Sequence, residues 1–311
     1  MPRDFDVVAL GEAMVEFNQT SPGLPHYLQG FGGDTSNAVI AAARAGARTA
    51  YLTRIGDDSF GRSLLELWRQ EGVDTQAVDL DPGQPTGLYF VTHGPKGHEF
   101  SYRRAGSAAS QMTPGWLDRG PAQAIRDSKM LHVSGISMAI SPDACATVMA
   151  AMRIARDAGT LVSLDSNLRL KLWPLEHARA ALRAAIALAD IFLPSLDDLA
   201  TLADCSDPDA LVDWSHQAGA ASVVLKLGGD GALASDGKHR QRITGHAVPL
   251  ADATGAGDCF CGNLLARVTA GDTLFDAARW ANAAAAIAVQ GFGAVAPLPR
   301  AEQVRALLWS I

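Results

Sequence analysis

The residues with the clearest capacity for chemistry lie late in the chain, in the run Asp252-Ala-Thr-Gly-Ala-Gly-Asp258. It leads directly into Cys259-Phe-Cys-Gly-Asn-Leu-Leu-Ala-Arg-Val, an apolar segment with helical spacing. A glycine-rich turn that opens a helix leaves several backbone N–H groups without intrahelical partners, at the end where the helix dipole is positive. Such a place holds an anion. A fixed carboxylate at Asp258 would repel a phosphate that merely rested there. The conflict disappears if the negative charge develops during a reaction and Asp258 takes the proton of an attacking hydroxyl. The chemistry suggested is phosphoryl transfer to an alcohol. The alternative is that Asp258 only complements the dipole in a first helical turn.

Further polar residues sit where ligands bind. Gly32-Gly33-Asp34-Thr-Ser-Asn37 precedes a helical run, Ala38 to Ala45, with Gly46 as its stop. The glycines permit close backbone approach, while Asp34 and Asn37 suit sugar hydroxyls. The same segment also reads as an ordinary capped helix start. Asp165-Ser-Asn167-Leu-Arg169 and Pro194-Ser195-Leu-Asp197-Asp198 both follow expected parallel strands, at the edge where open α/β sheets bind ligands. Ser195 and Asp198 serve equally well as caps of a short helix. Arg103 and Arg104 are adjacent on an expected strand, so only one can turn inward; solvated arginines are the default. Lys226 runs into the tight turn Gly228-Gly-Asp-Gly231, and Asn282 lies among alanines that let a flat group or another helix pack closely.

The elements that must position these groups alternate strand and helix. Strands are expected at 7–10, 14–17, 49–55, 75–80, 130–133, 160–164, 190–193 and 222–227, and helices at 59–70, 142–158, 175–188, 274–289 and 300–309. This rhythm points to a doubly wound, mostly parallel α/β sheet. Residues 86–92 and 98–104 break it. They alternate around Gly94-Pro-Lys-Gly97 with no helix between them, as a β-hairpin does. With the piece after Gly11 this hairpin forms a small lid, built from parts of 12–31 and 86–105, within one domain spanning 1–311. There is no GxGxxG, internal repeat or interdomain linker.

Composition narrows the partners. The 311 residues are 48% hydrophobic, enough to bury a full core. The formal net charge of −7 argues against nucleic acid or an anionic membrane as partner, and any acidic ligand needs local arginines. Cys145, Cys205, Cys259 and Cys261 show no CxxC spacing and read as reduced core residues. No apolar stretch reaches the roughly 18 residues of a membrane span, and Met-Pro-Arg-Asp does not begin a signal peptide, so a cytoplasmic protein is expected.

The two glycine motifs, Gly32-Gly33-Asp34-Thr35-Ser36-Asn37 and Asp252 to Asp258 followed by Cys259-Phe260, occur in the order and places typical of the ribokinase-like (PfkB) carbohydrate kinases. The chain resembles that family over its whole length. Two of its segments, Tyr102-Arg103-Arg104-Ala-Gly-Ser-Ala-Ala-Ser110 and Asp165-Ser-Asn167-Leu-Arg169 with Lys171-Leu-Trp173, are similar to segments of the 2-keto-3-deoxygluconate kinases within it. The resemblance implies that Asp258 is the base and that the amides of Gly255, Ala256 and Gly257 are the anion hole. It implies that Gly33, Asp34 and Asn37 hold sugar hydroxyls, and that Tyr89, Tyr102, Arg104 and Arg169 surround an acidic substrate end. Asn167, Ser195, Lys226, Gly228, Gly231 and Asn282, with the anion-hole residues, would line an ATP site, with Mg2+ as the metal. Where much of the family has Asn-x-x-Glu, this chain has Ser195-Leu-Asp-Asp198, so that by the resemblance the shorter Asp198 stands at the position that orients magnesium-bound water. Gly291 to Pro297 falls near a monovalent-cation loop of related kinases but is degenerate.

The acceptor expected on these grounds is the terminal hydroxyl of 2-keto-3-deoxygluconate. A charge-assisted hydrogen bond to its carboxylate contributes about 1.5–3 kcal/mol, roughly ten- to a hundred-fold in discrimination. A neutral-sugar kinase such as a fructokinase has no evident use for two arginines and ranks second; a catalytically silent sugar-binding protein is the third reading. The exposed hairpin is also expected to pair between subunits of a homo-oligomer.

Overall fold

The computed structural model describes residues 3–94 and 97–309. Its centre is Val7-Val-Ala-Leu10, an unbroken apolar run suited to a strand covered on both faces. The strand Phe5–Leu10 pairs in parallel with Thr49–Gly56 on one side and with Ser128–Ser134 on the other. Leu161–Asp165, Ile191–Phe192 and Ser222–Lys226 follow outward in parallel, and Gly231–Ser235 and Arg240–Thr244 close that edge antiparallel. Val73–Asp74 and Val78–Asp81 lie along the opposite side of Thr49–Gly56, completing ten strands.

Successive side chains of a strand face opposite ways. Val7 and Met130 accordingly enter one apolar layer, with Leu264 and Ala278 of the helices Ala256–Ala270 and Leu274–Ala288. Val8 and Leu131 enter the other, with Val148 and Leu182 of Pro142–Asp157 and Leu175–Ile186. The doubly wound expectation holds.

A second, four-stranded sheet runs Tyr27–Gly32, Met14–Gln19, Gly87–Gly94, Gly97–Arg103. Its inner pair is parallel and its two outer pairs antiparallel. This is the lid sheet, with Met14, Tyr89 and Val91 as a small core. The expected hairpin is present, although Pro95 and Lys96 of its turn lie outside the described residues.

Several elements depart from the pattern reading. Of the strand expected at 75–80 only the later part forms, within Val78–Asp81, and it follows the two-residue strand Val73–Asp74, because the Asp74 carboxylate accepts the Gln76 N–H and turns the chain. The strands Tyr27–Gly32 and Arg240–Thr244 and the helix Pro208–Gln217 went unmarked. The helix did carry a signal, since Asp207 caps it and Pro208 opens it. Among the described residues no helix is long and apolar enough to cross a membrane.

Candidate active site

Two helices begin side by side, each after a glycine in the left-handed half of backbone space: Asp34–Arg44 after Gly33 (φ 115°) and Ala256–Ala270 after Gly255 (φ 74°). Helices at Asp58, Ser141, Asp207 and Thr273 are capped by those side chains, whereas these two carry no side-chain cap. No side-chain cap therefore competes with a ligand for their first-turn amides, although the Ala256 N–H donates to the Ala253 carbonyl at 3.2 Å. The helices touch where Gly262 leaves room: a Cβ there would lie 2.0 Å from the Ala38 carbonyl oxygen. This contact brings Asn37 to Asp258, and Asn37 Nδ2 donates to Asp258 Oδ2 at 2.8 Å. The other Asn37 atom, Oδ1, is buried without a hydrogen-bond partner and is free to accept from a hydroxyl.

The carboxyl of Asp258 is pushed up to about 7, chiefly by desolvation and then by the negative charges of Asp34 and Asp165, against the opposing effects of Asn37 and Lys226. Asp34 is raised as well, mainly by burial. Its Oδ2 accepts from Nδ2 of Asn167 (3.1 Å), a residue held at φ 27° in a conformation few side chains adopt. Lys226 Nζ is 2.7 Å from Asp165 Oδ2 and 3.5 Å from Cys261 Sγ. Burial alone would lower the lysine; the Asp165 charge reverses that, and Lys226 stays charged beside the anion loop. A Cβ on Gly257 would stand 3.5 Å from its ammonium.

Beneath the lid, Tyr89 donates to Glu16 at 2.6 Å and packs over Gly32, where a Cβ would lie 2.4 Å from the Tyr89 hydroxyl. Tyr102 stacks on Tyr89 with ring centroids 5.8 Å apart. Of the adjacent arginines, Arg104 turns inward and Arg103 stays exposed. Arg104 does not stand free: it is ion-paired to the fully buried Glu12, whose other oxygen accepts from Ser107. Arg169 is exposed, and its Nη1 donates to the neighbouring Leu168 carbonyl.

On the third side, Ser195 caps the helix Leu196–Ala203, accepting the Asp198 N–H, and a β-bridge joins it to Lys226. Asp198 Oδ2 takes the Ser166 hydroxyl at 2.9 Å and the Leu168 N–H at 3.0 Å, tying down the loop that carries Asn167. Gly228 (φ 59°) and Gly231 (φ 94°) shape the turn after Lys226. Asn282 Nδ2 donates to the Thr244 carbonyl at 2.8 Å. Among the described residues no three His, Cys, Asp or Glu side chains are grouped to hold a metal ion. Mg2+ would then have to be held mainly by phosphate oxygens and water, and Asp198 would act on it only through water. The cavity of about 330 Å3 between Arg179, Leu202 and Trp214 shares no residue with this cleft.

Sequence reasoning passed over Glu12 and Glu16, and placed Asp165 at a ligand-binding strand end without giving it a role. The signal was there for Glu12 and Asp165, since each is an acid at or just past the carboxyl end of a central parallel strand.

An uncapped anion loop, a carboxylate at the first helical turn and a polar cleft beneath a lid define an enzyme of phosphoryl transfer to a hydroxyl. The model of the "pfkB family carbohydrate kinase" matches residues 4–301, and the chain belongs to that family. It is 32% identical to "Fructokinase-2" of Solanum habrochaites over 97% of this chain and 95% of that protein. It is 34% identical to the "2-dehydro-3-deoxygluconokinase" of Thermoproteus tenax, over 94% and 92%. Among solved structures, the PfkB protein from Polaromonas sp. JS666 superposes with a TM-score of 0.88 at 31% identity, covering 97% of this chain and 99% of that one. The sequence expectation of a particular nearness to the deoxygluconate kinases is corrected by these relatives, because a fructokinase matches as well.

Proposed function

We propose that this carbohydrate kinase transfers the terminal phosphoryl group of ATP to the primary hydroxyl of a six-carbon keto sugar, and that its acceptor is neutral, of the D-fructose kind. The hydroxyl gives its proton to Asp258 as its oxygen bonds to phosphorus, the bond from phosphorus to the bridging oxygen breaks, and ADP leaves. The amides of Gly255, Ala256 and Gly257 take the charge that develops on the transferred group. Gly33, Asp34 and Asn37 hold sugar hydroxyls. Asn167, Ser195, Lys226, Gly228, Gly231 and Asn282 line the nucleotide side. Mg2+, when bound with the nucleotide, offsets phosphate charge.

The observation that carries the neutral acceptor is the Glu12–Arg104 pair. It answers the argument that two arginines require an acidic substrate, because one of them already balances a buried glutamate. The cleft also has Glu16, Asp34 and Asp258, and among the described residues none of them is joined to a cation by a salt bridge within 4 Å. A substrate carboxylate would meet that field. The second reading, 2-keto-3-deoxygluconate, is supported by Arg169, which is exposed and has donors to spare beyond its one bond to Leu168. A coupled ADP-release assay over D-fructose, D-ribose and 2-keto-3-deoxygluconate tests the choice; a larger kcat/KM for the acid would reverse it.

Assembly through the lid is supported by Leu28, Phe100 and Tyr102, apolar side chains exposed on its two edge strands. Light scattering at micromolar concentration tests it, and a monomer would exclude it.

A further inference from the structure

We infer that Glu12 sets the acid-versus-neutral specificity of this kinase by masking the charge of Arg104. The inference rests on the reading that the cleft between Asp34, Asn37 and the lid receives the acceptor.

Glu12 stands where body and lid join. It follows the central strand by two residues and precedes the lid strand Met14–Gln19 by two. The other crossings converge on it. A Cβ on Gly33 would lie 2.5 Å from its carbonyl oxygen, and one on Gly87, the first residue of the next lid strand, 2.8 Å from Oε1. Ser107, just beyond the last lid strand, donates to Oε1, and Arg104 reaches the opposite oxygen. The carboxylate is wholly buried and the arginine side chain nine-tenths so. A buried carboxylate so placed requires a cation, and Arg104 supplies it.

The arginine is not used up by this contact. Its Nε is buried and has no hydrogen-bond partner, and its guanidinium carbon lies 6.0 Å from the centre of the Tyr102 ring, a residue of the lid. Arg104 therefore has directional donors left over but no net charge to offer, since the charge is cancelled within the pair. Unspent donors without net charge suit a hydroxyl or keto oxygen and do little for a carboxylate. Removing the charge of Glu12 while keeping its shape would turn the same arginine into a carboxylate receptor.

The test compares Glu12→Gln with the wild-type chain. Calorimetry yields Kd values for D-fructose and for 2-keto-3-deoxygluconate, so the result does not depend on turnover. Circular dichroism and a melting curve verify that the variant folds. The ratio of acid to ketose affinity is expected to rise roughly ten- to a hundred-fold, the value of one charge-assisted contact. A ratio that moves less than about threefold in a folded variant would overturn the inference. If the wild type binds neither compound, the variant must acquire measurable affinity for the acid, and failure to do so counts against it equally. Should Glu12→Gln not fold, the paired change Glu12→Gln with Arg104→Met removes both charges together, which proteins tolerate better than losing one. The ratio should then stay near the wild-type value, and a tenfold fall would show that Arg104 already serves a carboxylate. The neutral-acceptor reading fails separately, if the wild type prefers the acid; the inference concerns how the preference changes and can survive that result.

Discussion

The two ends of the cleft handle charge in opposite ways. At the helix start near 255, Asp258 has an amide partner in Asn37 but, among the described residues, no salt bridge, while a nearby cation, Lys226, is held 2.7 Å from Asp165. At the hinge beneath the lid, Glu12 is paired outright with Arg104 and takes a second bond from Ser107. The contrast follows from what each end must do. A base has to change its charge during the reaction, and a cation locked onto it would hold it ionised and weaken its pull on a proton. A hinge that only shapes a pocket is best left neutral, because an unpaired buried charge costs several kcal/mol.

The most direct way to break this comparison is Asp258→Asn. It is expected to lower kcat by roughly two to four orders of magnitude, the worth of a positioned general base. A variant with near wild-type turnover in a steady-state assay would leave the carboxylate as a dipole partner only.

Gly262→Ala acts on the same region from behind. A methyl 2.0 Å from the Ala38 oxygen must push the two helices apart and separate Asn37 from Asp258. Overpacking of this kind costs about 1–3 kcal/mol of stability, readable from denaturant midpoints. A kcat drop of at least tenfold should accompany it, since a positioned partner is displaced by a sizeable fraction of an ångström.

The environment of Asp258 sets a pH profile. With Asp258 raised to about 7, kcat/KM should climb through neutrality as the base loses its proton. Asp165→Asn removes a repelling charge and releases Lys226, so the limb should move to lower pH, whereas a merely structural loss would depress the whole profile without moving it. Stability runs the other way. The folded carboxyl holds its proton to about 7 while the unfolded one releases it near 3.8, so this contribution to stability is complete below about 4 and is lost as pH rises through 7. Asp258→Asn should therefore melt higher than the wild type at pH 8 and lose that advantage progressively as pH falls towards 4.

The smallest effect separates the acceptors. If Arg169 meets a sugar acid, Arg169→Ala should raise KM for that acid roughly ten- to a hundred-fold with little change for ATP. If the acceptor is neutral, the KM for D-fructose should change less than about threefold.

Much of this molecule was legible from local chemistry. The apolar run Val7–Leu10 announces a covered strand, and the glycines before the helix start at 255 announce open amides, whereas those at 32 and 33 announce only room for close backbone approach. Strand alternation required that only one of Arg103 and Arg104 face inward, though not which one. The strand Tyr27–Gly32 stayed unread because Gly30 and Gly32 interrupt its apolar pattern, and it pairs only by lying beside Met14–Gln19.

The sequence by itself determined the alternating sheet, the two glycine-led helix starts and the acid in the first turn of the second, because those depend on neighbours within a few residues. Only the tertiary structure decided which charges stand alone. Asn37 meets Asp258 across 221 positions, and Lys226 meets Asp165 across 61. Glu12 and Arg104 come together where two lid strands leave the body. Whether a carboxylate is a base, a counter-ion or a hinge pin depends on what the fold brings within a few ångströms of it, since Coulomb attraction in a buried cleft reads distance in space and takes no account of position along the chain.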